Sequence, residues 1–402
     1  MNILVALCAI GAEKIVGNEL KLLGYALDNS QKLPGRVFFL GDDDALFRAN
    51  LCLRTADRVY LQMAHFRSDD FDSLFEGVRA VDWQDVFFKN SKIVVDKVRS
   101  HKSRLNSERA IQSIVQKAIY TKLSEVWGIS TLPESGERAE IRVYVDSNDV
   151  QILLDLSGLP LHKRGYRTDG GIAPLRETLA ASLLQNMLWR RKIPLHDPFC
   201  GSGTIAIEAT LYAFNVAPGF GRRFAVENLP IFNKDRAEEI KKIEAAKIRT
   251  DVECRITGTD IDSKAVARAK MNAEHALVMA GRALQKIGVS AHLARPDFDV
   301  CDFKDLESPF DFGFLLTNPP YGERLGTDDE AQKLYSQMHS LFVDFPNWKI
   351  GVITPNEHFQ ECIGRFSHTK KSIRAGNLNT IFYLYDGTEK DAKKKRIIED
   401  EF

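Results

Sequence analysis

The order of strand-like and helix-like runs changes along the chain and divides it into three parts. Over residues 3–66, short apolar runs typical of buried strands alternate with stretches of helical spacing. The second part ends in the segment 139–158, where two alternating runs flank Ser147-Asn148 and predict a β-hairpin. From about residue 190, strand-like runs alternate with helix-like runs, which is the order of a doubly wound parallel sheet.

These runs predict the individual elements. We expect strands over 3–10, 35–41, 57–66, 92–100, 193–199, 255–261, 312–318 and 349–355, with late antiparallel strands in 373–387. We expect helices over 12–23, 42–53, 72–87, 107–128, 204–214, 263–278 and 330–345. The fold class is therefore α/β, with a C-terminal Rossmann-like doubly wound domain after two smaller α+β units.

Composition changes this picture little. The 402 residues are too many for one typical core, and a content of 44% hydrophobic and 27% charged residues is ordinary for globular proteins. Lys+Arg and Asp+Glu balance at 55 each, which argues mildly against a protein that coats nucleic acid. The six cysteines form no C-x-x-C pair, so we expect reduced thiols and no metal site. The start lacks a basic region before its apolar run and no run could span a bilayer, so a cytoplasmic location is predicted.

The loop DPFCGSGT (197–204) lies between a predicted strand and a predicted helix. Its glycines allow a ligand to approach the backbone, and the helix start offers unpaired N–H groups. The same letters fit a dinucleotide fingerprint, which needs an acidic residue about 20 positions further on. The next strand ends at Asp260, nearly 60 residues downstream, so an NAD(P) site is disfavoured. A plain tight turn remains the alternative.

Two further acids follow predicted strands. Asp260 could accept hydrogen bonds from both hydroxyls of a ribose, or could instead cap the helix that starts near Ser263. Asp302 and Phe303 follow a possible third strand, and a carboxylate beside an aromatic ring suits an adenine. A simple loop acid is the alternative for Asp302.

The strand 312–318 runs into the corner Asn318-Pro319-Pro320-Tyr321. The Asn318 amide oxygen and the Pro319 carbonyl are two rigid acceptors, which suit an amino group on an aromatic ring. Accepting both N–H hydrogens localises the nitrogen lone pair and offsets the positive charge that develops there. Tyr321 can stack on the same base. The alternative is a strand-ending turn with a buried tyrosine.

Together, DPFCGSGT, TGTDID, VCDF and TNPPYGERLG resemble the S-adenosylmethionine-dependent amino-methyltransferases. The first 160 residues resemble the ferredoxin-like plus THUMP arrangement of RNA-modification enzymes, and HKRGYRTDGGIAPLRETLAASLL resembles the junction in the bacterial 23S rRNA guanine-N2 methyltransferase family, whose members are often named N6-adenine-specific DNA methylases. The implied domains are ferredoxin-like 1–64, THUMP 65–158, linker and pre-motif helix 159–190, methyltransferase 191–388 and charged tail 389–402.

The resemblance also implies the site residues. The cofactor is S-adenosylmethionine, with S-adenosylhomocysteine as product. The residues expected to bind the target amine are Asn318, Pro319, Pro320 and Tyr321. The residues expected to hold the cofactor are Asp197, Phe199, Cys200, Gly201, Gly203 and Thr204 for its methionine part, Asp260 and Ile261 for the ribose, Asp302 and Phe303 for the adenine, and Pro174 and Thr178 at the edge.

Two basic clusters are candidate RNA contacts. The first surrounds a predicted strand-to-helix turn and the second lies in the linker; a plain solvated surface is the alternative for each. The predicted RNA-binding residues are Lys97, Arg99, Lys102, Arg104, Arg164 and Arg167.

The expected function is methylation of an exocyclic base amine, guanine N2 of 23S rRNA, with 23S rRNA or a ribosome assembly intermediate as partner and no membrane. The alternatives are tRNA guanine-N2 methylation, DNA adenine-N6 methylation, an inactive RNA-binding assembly factor and a nucleotide-dependent oxidoreductase.

Overall fold

The structure is a computed structural model and describes residues 1–30, 32–167, 174–307, 310–321, 328–375 and 378–387. The chain divides into two compact units. The first consists of Met1–Leu7, Gly17–Leu161 and Arg222–Ile240, and the second of Cys8–Val16, His162–Gly221 and Lys241–Phe402. The predicted tail 389–402 lies outside the described residues.

The elements up to residue 155 form seven strands and four helices in the described part of the chain. The strands are β1 (Asn2–Leu7), β2 (Ala26–Asp28), β3 (Arg36–Gly41), β4 (Arg58–Arg67), β5 (Lys92–His101), β6 (Arg138–Asp146) and β7 (Asp149–Asp155). The helices are α1 (Glu13–Leu22), α2 (Asp43–Cys52), α3 (Phe71–Arg79) and α4 (Glu108–Trp127).

The first sheet joins all seven strands in the order β2-β3-β1-β4-β7-β6-β5. Among the described strand pairs of this sheet, only β5 and β6 are parallel. The strand β4 pairs with β1 on one side and with β7 on the other, so the expected boundary at residue 64 falls inside a strand of a continuous sheet. The predicted hairpin is β6–β7, and its turn residues Ser147 and Asn148 take φ +53° and +67°, as a two-residue turn of this kind requires.

The predicted helix over 72–87 is wrong in its second half, because α3 ends at Arg79. The Trp83 indole N–H donates to the Val78 carbonyl at 2.9 Å, and the buried ring turns the chain back into a short 3₁₀ segment. By contrast α4 is close to its prediction: the Ser107 side chain accepts from Ala110 N–H at its start, and Gly128 ends it at φ +64°.

The second part of the chain contributes seven strands and seven helices among the described residues. The strands are β8 (Leu195–Asp197), β9 (Ile256–Asp260), β10 (Asp297–Val300), β11 (Phe314–Thr317), β12 (Lys349–Thr354), β13 (Thr369–Ala375) and β14 (Leu378–Tyr385). The helices are α5 (Glu177–Asn186), α6 (Thr204–Ala213), α7 (Lys234–Ala245), α8 (Ser263–Gln285), α9 (Asp328–Gln337), α10 (Ser340–Asp344) and α11 (Phe359–Ile363).

The second sheet has the order β10-β9-β8-β11-β12-β14-β13. Its first five strands are parallel, and the hairpin β13–β14 adds two antiparallel strands. Successive side chains of a strand point to opposite faces, and Leu315 and Leu316 accordingly belong to two different apolar clusters. A sheet buried on both faces explains why β11 is an unbroken apolar run.

The strand order reverses between β8 and β11, which are neighbours although β9 and β10 separate them in sequence. At such a switch point the connecting loops diverge and leave a crevice beyond the carboxyl ends of the strands. Asp197, Asp260 and Thr317 are the last residues of β8, β9 and β11. The fold therefore brings together strand ends that are widely separated in the sequence.

The polar insert between α6 and β9 contains a helix, α7, and its residues Arg222–Ile240 belong to the first unit. Arg236 pairs with Asp44 at the start of α2, through Nε at 2.9 Å and Nη2 at 2.6 Å. The Phe47 ring lies 5.5 Å from Phe224 and 5.8 Å from Phe232 between centroids. An ion pair and an aromatic cluster thus attach the insert to α2.

The expected helix over 330–345 is two helices, α9 and α10. The Met338 N–H is shared between the carbonyls of Leu334 (3.0 Å) and Tyr335 (3.1 Å), which tightens the chain into a turn there. No helix among the described residues is long and apolar enough to cross a membrane. Those residues also contain no cluster of three or more His, Cys, Asp or Glu that could hold a metal ion.

Candidate functional site

A cavity of about 590 Å³ opens at the carboxyl edge of the second sheet. This volume lies in the range usual for sites that hold small organic ligands. Its walls come from the β8–α6 loop, the start of α8, the segment after β10, the corner after β11, and α9. The lining residues are Pro174, Leu175, Asp197, Pro198, Phe199, Cys200, Gly201, Ser202, Thr204, Ile205, Asp260, Ile261, Asp262, Ala265, Arg268, Cys301, Asp302, Phe303, Lys304, Asn318, Pro320, Leu334 and Gln337.

Two glycines of the 197–204 loop have left-handed backbones, but their surroundings differ. At Gly201, φ is +52° and no atom lies within 4 Å of where a Cβ would stand, so the space above it is open to a ligand. At Gly203, φ is +83° and a Cβ would lie 2.9 Å from the Phe298 ring. Gly203 is absent from the cavity lining, and its role is close packing at the start of α6.

The Asp260 carboxylate holds the loop against β9. Its Oδ2 accepts from the Gly201 N–H and its Oδ1 from the Asp262 N–H, both at 2.9 Å. The helix cap predicted as the alternative is made instead by Asp262, whose side chain accepts from Lys264 N–H. Each carboxylate oxygen can accept a further hydrogen bond, so Asp260 can still accept from a ligand in the cavity.

Asp197 ends β8 with a side chain that is almost fully buried and faces the cavity. Its Oδ1 accepts from the Thr317 hydroxyl at 2.8 Å and from the Phe199 N–H at 3.2 Å. Burial raises the pKa of Asp197 to about 7, and the nearby Asp260 charge adds to the rise, although both hydrogen bonds oppose it. The site therefore contains a carboxyl group that titrates near neutral pH.

Two aromatic rings form another wall of the cavity. Phe199 and Phe303 lie with centroids 5.0 Å apart and planes inclined by 37°. Asp302, directly before Phe303, accepts from the Lys304 N–H at 3.1 Å and thereby starts a 3₁₀ turn. The carboxylate and the ring predicted to act together do line one wall, beside a second ring.

The corner after β11 presents acceptors that the described part of the protein leaves unused. Within it, the Asn318 side chain and the Pro319 carbonyl have no hydrogen-bond partner, and Asn318 is half-buried in the cavity wall. The buried Tyr335 hydroxyl lies 3.4 Å from the Pro320 carbonyl and 3.1 Å from Thr354 Oγ1, which supports the corner from behind. The Tyr335 hydroxyl thus holds the corner in place without hydrogen bonds to a neighbouring strand.

Four predicted site residues do not line the cavity: Thr178, Gly203, Pro319 and Tyr321. Thr178 is buried in α5, Pro319 is buried between two lining residues, and Tyr321 is half-buried beyond them. The remaining letters of the motif, 322–326, lie outside the described residues.

Arg164, predicted to contact RNA, is buried in the structure with only 2% of the residue exposed. Its Nε and Nη2 lie 3.4 Å from the two carboxylate oxygens of Glu208 on α6, and the Tyr166 hydroxyl donates to the same carboxylate at 3.2 Å. The Arg164 side chain lies in the interior because Glu208, 44 residues further on, neutralises its charge.

Arg167 is also turned inward. Its Nη2 donates to the Thr204 hydroxyl at 2.6 Å, lies 3.3 Å from a Glu177 carboxylate oxygen, and leaves the side chain 15% exposed. Since Thr204 begins α6 and lines the cavity, Arg167 braces the wall of the site. These contacts leave it poorly placed to neutralise an RNA phosphate.

The other four predicted RNA contacts are exposed in the first unit. Arg99 pairs with Glu108 at 3.1 Å, whereas Lys97, Lys102 and Arg104 have no acidic partner in the described part of the chain. Asn148 Oδ1 accepts from Ser103 Oγ (2.7 Å) and from Arg104 N–H (2.9 Å). The hairpin turn thus holds the loop that presents two of these cations.

Several lining residues were not predicted from the sequence, and the two cations among them, Arg268 and Lys304, have the clearest chemical consequences. Lys304 could have been found, since it follows Asp302 and Phe303 directly. Arg268 lies two turns into α8, and its position three residues after Ala265 places both on one face of the helix. The sequence did indicate Arg268, because a helix that starts just after Asp260 must begin at the edge of the site.

Family models match three consecutive parts of the chain. The ferredoxin-like domain of RlmL matches residues 3–60, and the THUMP domain matches 68–155. The model of the RMKL-like methyltransferase domain, UPF0020, matches 164–383 and thus more than half of the chain.

Similar proteins extend over almost the whole chain. YpsC of Bacillus subtilis (strain 168), named as a candidate RNA methyltransferase, is 38% identical over 98% of both chains. The ribosomal RNA large subunit methyltransferase K/L of Syntrophotalea carbinolica is 34% identical over 94% of this chain but 53% of its own length, so this chain spans about half of it. A crystal structure of SMU.472, described as a methyltransferase complexed with SAH, has a TM-score of 0.84 and 32% identity, and the match covers 96% of this chain and 98% of that one.

Proposed function

The chain belongs to the RMKL-like methyltransferase family, and from that premise we propose that it transfers a methyl group from S-adenosylmethionine to guanine N2 in 23S rRNA. One observation carries the proposal: the acceptor corner at Asn318 and the loop at Gly201 line a single cavity with Asp260 and Asp302. Cofactor and target base would therefore meet in one space.

The cavity suits S-adenosylmethionine. Open space above Gly201 leaves room for a ligand against the loop backbone, and the rings of Phe199 and Phe303 offer apolar faces for an adenine. Asp260 would accept from the ribose hydroxyls, and Asp197 would face the ammonium group of the methionine part. An acid-lined site fits a molecule with two cationic centres.

The acceptor corner would act on the target amine. When bound, the cofactor would supply an electrophilic methyl group: the methyl–sulfur bond would break as the methyl–nitrogen bond forms, S-adenosylhomocysteine would leave, and the nitrogen would then lose one proton to water. Asn318 Oδ1 and the Pro319 carbonyl would accept the two amine hydrogens, localise the lone pair and stabilise the positive charge that develops on nitrogen. No side chain need act as a base beforehand, because the nitrogen becomes acidic only after the methyl group is added.

Support for RNA as the substrate comes from the first unit. Its THUMP match and its exposed Lys97, Lys102 and Arg104 suit a phosphate backbone. The base would leave its helix or loop to reach the cavity. The name of the K/L relative supports the large-subunit rRNA as the substrate.

The experiment that tests this function uses labelled S-adenosylmethionine and three acceptors that lack their usual methyl groups: 23S rRNA, tRNA and duplex DNA. Each product is digested, and the methylated nucleoside is identified by mass. We expect N2-methylguanosine in 23S rRNA alone. N2-methylguanosine in tRNA or N6-methyladenine in DNA would overturn the substrate, and no product from any acceptor would overturn the activity.

A separate experiment tests the basic loop. Replacing Lys102 and Arg104 together by Ala should weaken binding to rRNA fragments and reduce the slope of log K against log salt by roughly 1 to 2, about one unit for each phosphate that the loop no longer neutralises. The matched control replaces Lys14 and Lys21, two exposed lysines of α1. An equal weakening in the control would show that only overall charge matters.

A further inference from the structure

Arg268 on α8 lines the cavity, and none of the roles described above uses it. Its side chain is 28% exposed. A guanidinium presents five N–H donors in one plane and keeps its charge at every accessible pH, so it recognises planar anions well. Arg268 is therefore suited to bind an anionic group of a ligand in the cavity.

The hydrogen bonds of Arg268 are incomplete in the described part of the protein. Its only ion pair there joins Nη2 to Asp262 Oδ2 at 3.5 Å, at the long end of the range for such contacts. Its Nε is buried and has no hydrogen-bond partner among the described residues. A buried donor without a partner is costly, and a ligand that accepts from it recovers that cost.

The distribution of charge in the cavity narrows the choice of ligand group. Four carboxyl groups of the described residues line it, those of Asp197, Asp260, Asp262 and Asp302, and a ligand carboxylate would be repelled by them. Lys304 stands at the adenine wall, where its Nζ lies 5.7 Å from the centroid of the Phe303 ring. Among the described lining residues, Arg268 is therefore the cation left for a ligand carboxylate away from that wall.

We propose that Arg268 binds the carboxylate of the methionine part of the cofactor, with N–H donors of its guanidinium directed to the two oxygens. This inference rests on the proposed function, because it assumes the cofactor named there. Asp262 then acts as a positioning residue that holds the other side of the guanidinium. The site thus separates the two ends of an amino acid: Asp197 faces the ammonium group, and Arg268 the carboxylate.

The test compares two ligands that differ only in this carboxylate. Calorimetry measures the binding of S-adenosylhomocysteine and of its decarboxylated analogue to the wild-type chain and to Arg268→Gln. We expect the substitution to weaken S-adenosylhomocysteine binding by roughly 10- to 100-fold, the usual worth of a charge-assisted hydrogen bond. Binding of the decarboxylated analogue should change by less than about twofold, because it carries no group for Arg268.

Two further variants complete the design. Arg268→Lys keeps the charge without the planar fork and should recover part of the affinity. Arg282→Gln removes an arginine near the end of the same helix, away from the cavity, and should leave both affinities unchanged. Equal weakening of both ligands by Arg268→Gln, or of neither, would overturn the inference. Failure of the wild-type chain to bind either ligand would instead overturn the proposed function.

Discussion

The loop 197–204 and the segment 162–167 are both short motifs of the second unit, and the structure treats them in opposite ways. The loop faces a cavity, with Gly201 under open space and Asp197 in the wall. The segment 162–167 turns its arginines inward, where Arg164 is matched by Glu208. Glycines directly after a parallel strand lie at the carboxyl edge of the sheet, where ligands bind, whereas the sequence of a cationic segment does not determine whether packing buries its side chains.

The largest expected effect is on catalysis and tests the role of Asn318 in the cavity wall. Replacing Asn318 by Ala removes the side-chain acceptor for the target amine and should lower kcat by about 10³-fold, as for other preorganised transition-state interactions. S-adenosylhomocysteine affinity should stay within about twofold, as calorimetry on the same preparation would measure. A large loss of cofactor affinity would mean that the side chain holds the cofactor and not the amine.

The next effect tests the buried arginine. Glu208→Gln leaves the Arg164 charge buried without its partner and should lower the free energy of unfolding by about 3 kcal/mol or more. Urea denaturation followed by circular dichroism measures the change.

The matched control for that buried pair is Glu108→Gln, which breaks the exposed ion pair with Arg99. It should cost less than about 1 kcal/mol, because solvent screens both charges. Similar destabilisation in the two variants would contradict the distinction between a buried cationic segment and a solvated one.

A smaller effect sharpens the difference between the two loop glycines. Gly203→Ala meets the Phe298 ring at 2.9 Å in a left-handed backbone and should destabilise the fold by about 2 kcal/mol. Gly201→Ala meets no atom, so its strain should be limited to about 1 kcal/mol, while its methyl group enters the cavity and weakens S-adenosylhomocysteine binding. Thermal unfolding with and without ligand separates the two variants, and the comparison fails if both lose stability equally.

The smallest effect is a pH dependence. The cationic end of the ligand favours the ionised form of Asp197, whose pKa burial raises to about 7. The affinity for S-adenosylhomocysteine should therefore rise by up to about tenfold between pH 6 and pH 8 and then level off. The same raised pKa means that, without ligand, Asp197 contributes a loss of stability as pH rises from about 4 through 7.

Calorimetry across this pH range measures the rise in affinity, and Asp197→Asn should flatten it. His196, the residue before Asp197, does not obscure the result, because burial lowers its pKa to about 4 and it stays neutral over the range measured. A rise in affinity that persists in Asp197→Asn would assign the titration to another group.

Residues at strand ends could be predicted from the sequence, whereas the burial of a linker side chain could not. The order of elements and about half of the cavity residues were accessible, because strand ends such as Asp197 and Asp260 meet by the topology of a parallel sheet. The burial of Arg164 was not accessible, because it depends on Glu208, a helix residue whose facing direction only packing decides. Arg268 was missed although its helix starts directly after Asp260 and so begins at the edge of the site.

The unit to which residues Arg222–Ile240 of the insert belong could not be predicted from the sequence. Charge and composition describe it as a polar excursion, but its membership of the first unit depends on contacts such as Arg236 with Asp44, which are 192 residues apart. No local pattern in the sequence carries information of that range, so the predicted methyltransferase domain of 191–388 could not exclude it.

The place of this insert also affects how the chain can fold while it is being made. A ribosome delivers residues 1–161 before Arg222–Ile240, yet the first unit contains both. Until the insert emerges, the Phe47 ring lacks Phe224 and Phe232, and an apolar patch on α2 stays open to water or to a chaperone. The order of synthesis and the order of folding therefore differ, and the first unit is completed only after part of the second has left the ribosome.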